Sequence, residues 1–323
     1  MHKNTLRNSP RTTLIVRHDT ITNQLVERLT DTSVAIFLFH GVIEKQTHPI
    51  RNYTSKHILK DDFTSYISAL SQHGTPISMD QILDHHQRAK ALPPRSFAIT
   101  FDDGFENNLE VAAPILTDYG VPATIYVSSG FIEQNSMSWV DRIECAVELT
   151  ECTEYFSPWL RSKMSLRTTP ERISLLNAVR KYVKNTSSCN PHLFADEIMA
   201  ELGISPITTS TDPLDQKLTW GQVQSLHEHE LFTIGGHSHT HSILSFLSPP
   251  ELAIELDTSI HLMQARTDIT PIHYSYPEGL SHCYSETVID ELKARGILCC
   301  PTAIDGVNHV QDDLFHLRRV MVG

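Results

Sequence analysis

No stretch of this 323-residue chain approaches the ~18 consecutive apolar residues that cross a bilayer, so the sequence offers no membrane span. Cysteine is sparse. The six residues Cys145, Cys152, Cys189, Cys283, Cys299 and Cys300 form no C-x-x-C pair and no regular framework, which makes reduced thiols the expectation. Basic charge is short as well: 26 Lys and Arg against 38 Asp and Glu leave −12 at neutral pH. That field repels phosphate backbones and anionic lipid, so nucleic acid is a poor partner. There is no internal repeat and no low-complexity tract longer than a loop. The polar, basic stretch Met1 to Asp19 lacks the apolar core of about 7 to 15 residues that a signal peptide carries, so a cytoplasmic location is expected.

What remains is a chain long enough for one large or two ordinary domains, at ~100 to 200 residues each, with 40% hydrophobic residues to build a core. Histidine stands out at 19 residues. Imidazole is both the commonest metal ligand and a near-neutral proton carrier, so metal chemistry is the class to look for.

Apolar, β-rich runs alternate with helical patterns. Val34–Phe39, Phe97–Phe101 and Ala123–Val127 read as buried strands. Between the last two, Leu109, Ala112, Ala113 and Leu116 recur at helical spacing, and Gly120 sits where a helix ends before Val121-Pro122 opens the next strand. The same logic restarts at Leu231–Ile234. It continues through a helix with Ser248 as N-cap, Pro249 in its first turn and Leu252, Leu256, Ile260 and Met263 on one face. A strand at His273–Tyr276, a helix through Val288, Ile289 and Leu292 ending at Gly296, and an extended segment Ile297–Cys300 follow. Such alternation predicts an α/β fold with a parallel sheet or barrel. From about 133 to 217 the rhythm changes to helices over Trp139–Leu149 and Glu171–Val183 joined by Ser/Thr/Pro-rich segments, which reads as an insertion.

Two motifs carry chemistry. In Thr100-Phe101-Asp102-Asp103-Gly104 a buried strand ends in adjacent carboxylates, and strand ends are where α/β folds place active sites. Alternation along the chain points the two differently, so one can bind a metal while the other takes a proton; a plain Asp-Asp-Gly turn is the alternative. In Gly235-Gly236-His237-Ser238-His239-Thr240-His241, one helical turn would bring His237 and His241 to the same side, with His239 pointing elsewhere; a histidine-rich surface loop is the alternative. One carboxylate with two imidazoles makes a three-ligand site with an open position, a catalytic rather than structural arrangement.

These motifs, in this order and each after a strand, resemble those of the polysaccharide deacetylases of the NodB-homology group, carbohydrate esterase family four. The resemblance runs from about Val34 to Val322, interrupted by the insertion, and Trp139-Val140-Asp141-Arg142 and Leu218-Thr219-Trp220 resemble segments of larger members. It implies a distorted (β/α) barrel over 31–323 with a mainly helical insertion at 133–217, preceded by an extension over 1–30. It also implies Asp102 as catalytic base and Asp103, His237 and His241 as ligands of a divalent cation, Zn²⁺ ahead of Co²⁺, Ni²⁺ or Mn²⁺.

The third motif departs from the family's Arg-x-Pro-Tyr-Gly. Here the stretch is Ser275-Tyr276-Pro277-Glu278-Gly279, and the arginine that pairs with the base is missing. Tyr276, Pro277 and Glu278 are assigned to the oxyanion and substrate, and Arg318 or Arg319 is the substitute for the lost charge. Leu314-Phe315-His316 resembles the fifth motif, which implies His316 as the general acid; an ordinary strand-flanking histidine is the alternative. His40, after the first strand, is either near the metal or a hydrogen-bonded core histidine. Trp139, Trp220 and Tyr276 are available to stack on a sugar, although packing accounts for the tryptophans as well. The activity implied is metal-dependent removal of an N-acyl group, acetyl or formyl, from an amino sugar, a sugar nucleotide or a surface-polysaccharide precursor. Two other readings stay open: a degenerate fold that binds metal or glycan without turnover, which the missing arginine favours, and a hydrolase of a non-sugar amide, as the resemblance to the wider superfamily implies.

Overall fold

The computed structural model describes residues 20–323; the N-terminal stretch Met1 to Asp19 lies outside the described residues. A helix α1 (20–27) comes first, and Leu25 and Leu29 join the same buried cluster as Phe37 and Phe97, so the described part of the 1–30 segment packs into the barrel.

The sheet is parallel and its strands are apolar on both faces, as such sheets require. β1 (Val34–Phe39) and β5 (Ser96–Phe101) are buried at every position and pair along their whole length, Val34 with Ser96 through Phe39 with Phe101. Short β2 (Gly41–Ile43) and β3 (His57–Leu59) form a separate pair, and β4 (Thr75–Pro76) lies against the start of β5. β6 (Ala123–Val127) joins the end of β5, and β9 (Phe232–Gly236) pairs with β6. β10 (Val320–Met321) lies on the other side of β1. Beyond β9 the sheet thins to single bridges, Gly236 with Tyr274 and His273 with Cys299. Backbone bonds from Cys300 to Leu314, Thr302 to Leu317 and Arg319 to Ile304 carry the wall round to β10. This is the expected distorted (β/α) barrel, with one correction. His273–Tyr276 is a bridge-forming segment rather than a full strand, because the chain after Tyr276 turns away at Glu278 and Gly279 (φ 62° and 58°); Ile297–Cys300, read as extended, meets it through the Cys299 bridge.

Side-chain alternation divides the core. Ala35, Phe37 and Phe39 belong to one cluster, whereas Val34 and Ile36 join a second with Tyr274, Tyr276, Leu252 and Leu256. The Gly235-Gly236 pair is required by this packing: a Cβ on Gly235 would lie 2.5 Å from the Tyr126 ring, and one on Gly236 2.3 Å from the Tyr274 ring.

The barrel helices are α2 (Lys60–His73), α3 (Met79–Gln87), α4 (Ala113–Tyr119), α5 (Ser129–Gln134), α9 (Trp220–His227), α10 (Pro249–Thr267) and α11 (Glu286–Ala294). Gly120 ends α4 in the left-handed conformation (φ 63°), and Ser248 forms a reciprocal capping box with Glu251 at the start of α10, both as the sequence predicts. In the insertion, α6 (Trp139–Leu149), α7 (Thr169–Lys184) and α8 (Pro191–Glu201) pack with a hairpin, β7 (Glu154–Ser157) and β8 (Ser162–Ser165). They share a cluster separate from the two barrel clusters, with Ile143, Val147, Leu175, Val179, Ile198 and Met199 at its centre, and Ile50 from outside the insertion joins it.

Candidate active site

The site is built at the ends of β5 and β9. Past Phe101 the chain makes two successive left-handed residues, Asp103 (φ 76°) and Gly104 (φ 77°), which splay the two aspartates apart. A non-glycine residue held at positive φ stores strain that its surroundings must sustain. Asp102 turns toward the closing wall of the barrel. Arg319 donates to both of its oxygens, Nη1 to Oδ1 at 2.8 Å and Nη2 to Oδ2 at 2.7 Å, while Ser275 Oγ lies between them, 2.9 Å from Nη2. Burial alone would raise the Asp102 carboxyl; the Arg319 guanidinium and His237 outweigh it and hold the group below the ordinary carboxylate value. Arg319 thus brings to Asp102 the positive charge that the third motif lacks, whereas Arg318 turns outward to the Asp305 carbonyl.

Asp103 turns the other way. Its Oδ1 lies 3.2 Å from His241 Nε2 and 3.6 Å from His237 Nε2, buried and with no hydrogen-bond donor. His237 follows β9, its N–H bonded to the Val127 carbonyl, and its Nδ1 lies 2.9 Å from the Ser275 carbonyl. A carbonyl only accepts, so Nδ1 carries the proton and Nε2 presents its lone pair toward Asp103. Burial pushes the His237 imidazole down to about 4, so it is neutral at physiological pH. His241 is raised instead, because the facing Asp103 outweighs burial.

His237 and His241 do come together, with ring centroids 4.9 Å apart, but no helical turn joins them. Ser238 (φ 63°) and His241 (φ 58°) make a tight turn closed by the His241 N–H on Ser238 Oγ. Glu255 of α10 holds it from below, accepting from the His239 and Thr240 backbone N–H groups at 2.8 and 2.6 Å. Reading the motif alone missed Glu255. Its signal was an acidic residue inside the apolar stripe Leu252, Leu256 and Met263. His239 points away, to Ser129 Oγ at 2.9 Å.

The donor set fits a divalent cation: two imidazoles and one carboxylate have ligating atoms all within 4.8 Å of one another, one of them an unpartnered buried oxygen. Above these residues lies a cavity of about 340 Å³, bordered by His40, Lys56, Asp102 and Glu278 from the barrel and by Trp139 and Arg180 from the insertion. His40 is held below its ordinary value by burial, against the pull of Asp103 and Asp102. Lys56 is fixed by Asp141 of α6, which Ser138 also binds. The sequence reading missed Lys56, Arg180 and Lys184, because nothing local distinguishes them from surface cations.

Three expected site residues, Tyr276, Pro277 and His316, lie elsewhere. Tyr276 is fully buried, donates to the Phe315 carbonyl at 3.1 Å and stacks on Tyr284, so it offers no face to a sugar; Pro277 is buried beside it. Only Glu278 of that motif borders the cavity, its carboxylate paired with Lys184. His316 is turned to solvent, its side chain 41% exposed and 3.1 Å from Asp313, because Leu314, Phe315 and Leu317 take the inward positions of its turn. It does not border the cavity over Asp103. Trp220 also lies away from the cavity, bonded to Glu133.

The fold is thus a parallel (β/α) barrel with a donor set that fits a divalent cation at one end of its strands and an arginine-held carboxylate beside it. The chain belongs to the polysaccharide deacetylase family, whose model matches residues 89–299. The poly-beta-1,6-N-acetyl-D-glucosamine N-deacetylase of Escherichia coli (strain K12) is 33% identical over 89 residues, 26% of this chain and 12% of that protein. Its namesake from Staphylococcus aureus (strain MSSA476) is 32% identical over 95 residues, 29% of this chain and 31% of that protein. The matched regions therefore span less than a third of either curated relative. Among solved structures, the Streptococcus pyogenes deacetylase PplD in complex with acetate superposes with a TM-score of 0.58 at 15% identity, covering 91% of this chain and 93% of that one. IcaB from Ammonifex degensii gives 0.58 at 15%, covering 92% and 94%. At such identities these two establish the shared fold.

Proposed function

We propose that this protein hydrolyses the N-acyl amide of an amino sugar within a glycan, releasing a carboxylate and a free amine, with acetyl as the group removed. The observation that carries the reading is the division of labour between neighbouring carboxylates: Asp102 is held by Arg319, and Asp103 faces His237 and His241, on the floor of one cavity.

Asp103, His237 and His241 would hold the cation, Zn²⁺ in our assignment. When bound, it supplies Lewis acidity to the acyl carbonyl and acidifies water. Asp102 takes the water's proton: Arg319 keeps the carboxylate ionised at neutral pH and fixes its plane, so its basic oxygens stay aimed while the proton moves. The departing nitrogen needs a proton, and His40 is the imidazole bordering the cavity that the donor set does not use. Lys56, fixed by Asp141, adds a positive charge to the same space. The third-motif departure that favoured a non-catalytic reading loses its weight, because Arg319 supplies the charge. The curated relatives named as poly-beta-1,6-N-acetyl-D-glucosamine N-deacetylases support a glycan over a non-sugar amide.

The test is acetate and formate release by purified protein, stripped of metal and then restored with Zn²⁺, Co²⁺, Ni²⁺ or Mn²⁺. The substrates are β-1,6-linked N-acetylglucosamine oligomers and UDP-linked N-acyl sugars. Metal-dependent acetate release is expected; no release from any of them under any metal overturns the proposal.

A further inference from the structure

One side of α6 carries a row of carboxylates. Asp141, Glu144 and Glu148 recur three and four residues apart, so they share one face of the helix. All three hold the loop between β2 and β3. Glu148 Oε2 accepts from the backbone N–H groups of Ile50 and Arg51 at 2.9 and 3.1 Å, Glu144 Oε2 accepts from that of Asn52 at 3.0 Å, and Asp141 takes the Lys56 ammonium. The Asn52 side chain braces the same loop, accepting from the His57 N–H and donating to the His57 carbonyl, each at 2.8 Å. Asn52 (φ 63°) and Ser55 (φ 57°) lie in the left-handed region, which a non-glycine residue keeps only where its surroundings sustain it. The insertion therefore fixes this loop, and the loop brings one cation, Lys56, to the cavity over the donor set.

That cation is only partly compensated. Lys217, fully buried over the Phe105 ring at 3.5 Å, lies 3.6 Å from the same Asp141 carboxylate and has no hydrogen-bond partner. One carboxylate thus faces two ammonium groups. The other cations at the cavity each have a carboxylate of their own, Arg180 with Glu144 and Lys184 with Glu278. An ammonium carries three N–H donors; Lys56 gives one to Asp141 and meets no second acceptor among the described residues. Burial alone would lower the Lys56 ammonium, and Asp141 outweighs it, raising the group above its ordinary value. Lys56 therefore keeps its proton at neutral pH, which suits a group that stabilises negative charge and not one that donates a proton.

We propose that Lys56 is a catalytic residue that donates a hydrogen bond to the oxyanion formed when water adds to the acyl carbonyl, and that Asp141 of the insertion is its positioning residue. As the new C–O bond forms, the water's proton passes to Asp102 and the carbonyl π pair moves onto oxygen, where Lys56 meets it without giving up a proton. The pair returns to carbon as the C–N bond breaks and the nitrogen takes a proton from the general acid. The insertion is then part of the reaction centre. The inference rests on the hydrolase reading above and adds to it a residue and that residue's support.

Acetate, the carboxylate product, presents a negative oxygen without turnover. Calorimetric titration of acetate into the metal-loaded parent protein, Lys56→Met and Lys56→Arg is paired with kcat and KM on β-1,6-linked N-acetylglucosamine oligomers, metal content by mass spectrometry and far-UV circular dichroism. Lys56→Met should fold, because Asp141 keeps Lys217 as its partner. It is expected to retain stoichiometric metal, to bind acetate on the order of tenfold more weakly, and to lose on the order of 10² in kcat with little change in KM. Lys56→Arg recovers part of both losses. Asp141→Asn is expected to lower kcat by on the order of tenfold in the parent and by less than about twofold in the Lys56→Met background, since it acts through the lysine. If Asp141→Asn does not fold, Asp141→Glu, which keeps the charge and moves it, takes its place in the same cycle. Unchanged kcat or acetate affinity in Lys56→Met, or loss of its metal, overturns the catalytic assignment, and equal effects of the Asp141 variant in both backgrounds overturn the positioning one. If acetate binding weakens in Lys56→Met while the parent releases no acetate from any oligomer, the anion site stands and the hydrolase reading fails.

Discussion

Asp102 and Arg319 are 217 residues apart in the chain and share two hydrogen bonds of 2.8 and 2.7 Å with almost no solvent contact. Thr302 anchors the arginine from the other side, its carbonyl accepting from Nε at 2.6 Å. A buried pair of this kind is costly to break singly, because the partner is left charged and unsatisfied. Arg319→Met is expected to destabilise the fold by about 3–5 kcal/mol in denaturant unfolding. It should also move the acid limb of the kcat profile to higher pH, since Asp102 loses what keeps it ionised. Arg319→Lys restores charge without the fork and should recover part of both effects. An unchanged acid limb in both variants would show that the pair does not tune the base.

The two aspartates should separate in their effects. Asp103→Ala, His237→Ala and His241→Ala each remove one of three donors and are expected to lose stoichiometric metal together with activity, while circular dichroism stays native because the barrel core is independent of the ion. Asp102→Asn should keep the metal and lower kcat by on the order of 10² or more. Metal content by mass spectrometry decides. Retention in Asp103→Ala with loss in Asp102→Asn would reverse the roles.

For the proton donor the structure redirects the expectation. His316→Ala should leave kcat and its alkaline limb intact, because that ring faces solvent and Asp313. His40→Gln should depress kcat with little change in KM and alter the alkaline limb. The reverse pattern in paired pH–rate profiles would restore His316.

A pH-dependent tie joins the insertion to the barrel. His48 lies 2.6 Å from Glu148 of α6 and 2.7 Å from Asp212, and although burial opposes it, the two carboxylates raise its pKa above 6.5. A histidine raised on folding contributes stability that is complete below 6.5 and lost as pH climbs through the folded value. Glu148 and Asp212 are both lowered, burial being outweighed in Glu148 by His48 and in Asp212 by the Leu214 backbone N–H together with His48. Their contribution is present above their ordinary 4.5 and 3.8 and lost as pH falls below. His48→Gln should therefore lower Tm most between about pH 5 and 6.5 and progressively less as pH climbs above 6.5. A Tm deficit that stays flat across that range refutes the tie.

Much of this protein is local and was readable as such. The buried strands Val34–Phe39 and Ala123–Val127, the Ser248 cap and the Gly120 helix end depend on periodicity and on hydrogen bonds spanning only a few residues, so the linear order suffices to place them. The same holds for Asp102-Asp103-Gly104 and for His237 with His241, since each motif sits at the end of one strand. Which way a side chain turns is a different matter. The two histidines meet through a turn held by Glu255 rather than through a helix, Tyr276 is turned into the core and His316 outward, and the charge absent from the third motif returns from the last wall of the barrel as Arg319. These are settled by closure of the barrel and by the insertion laid across its mouth. A buried charge accepts whichever opposite charge the closed fold brings within hydrogen-bonding distance, and that depends on every strand between them.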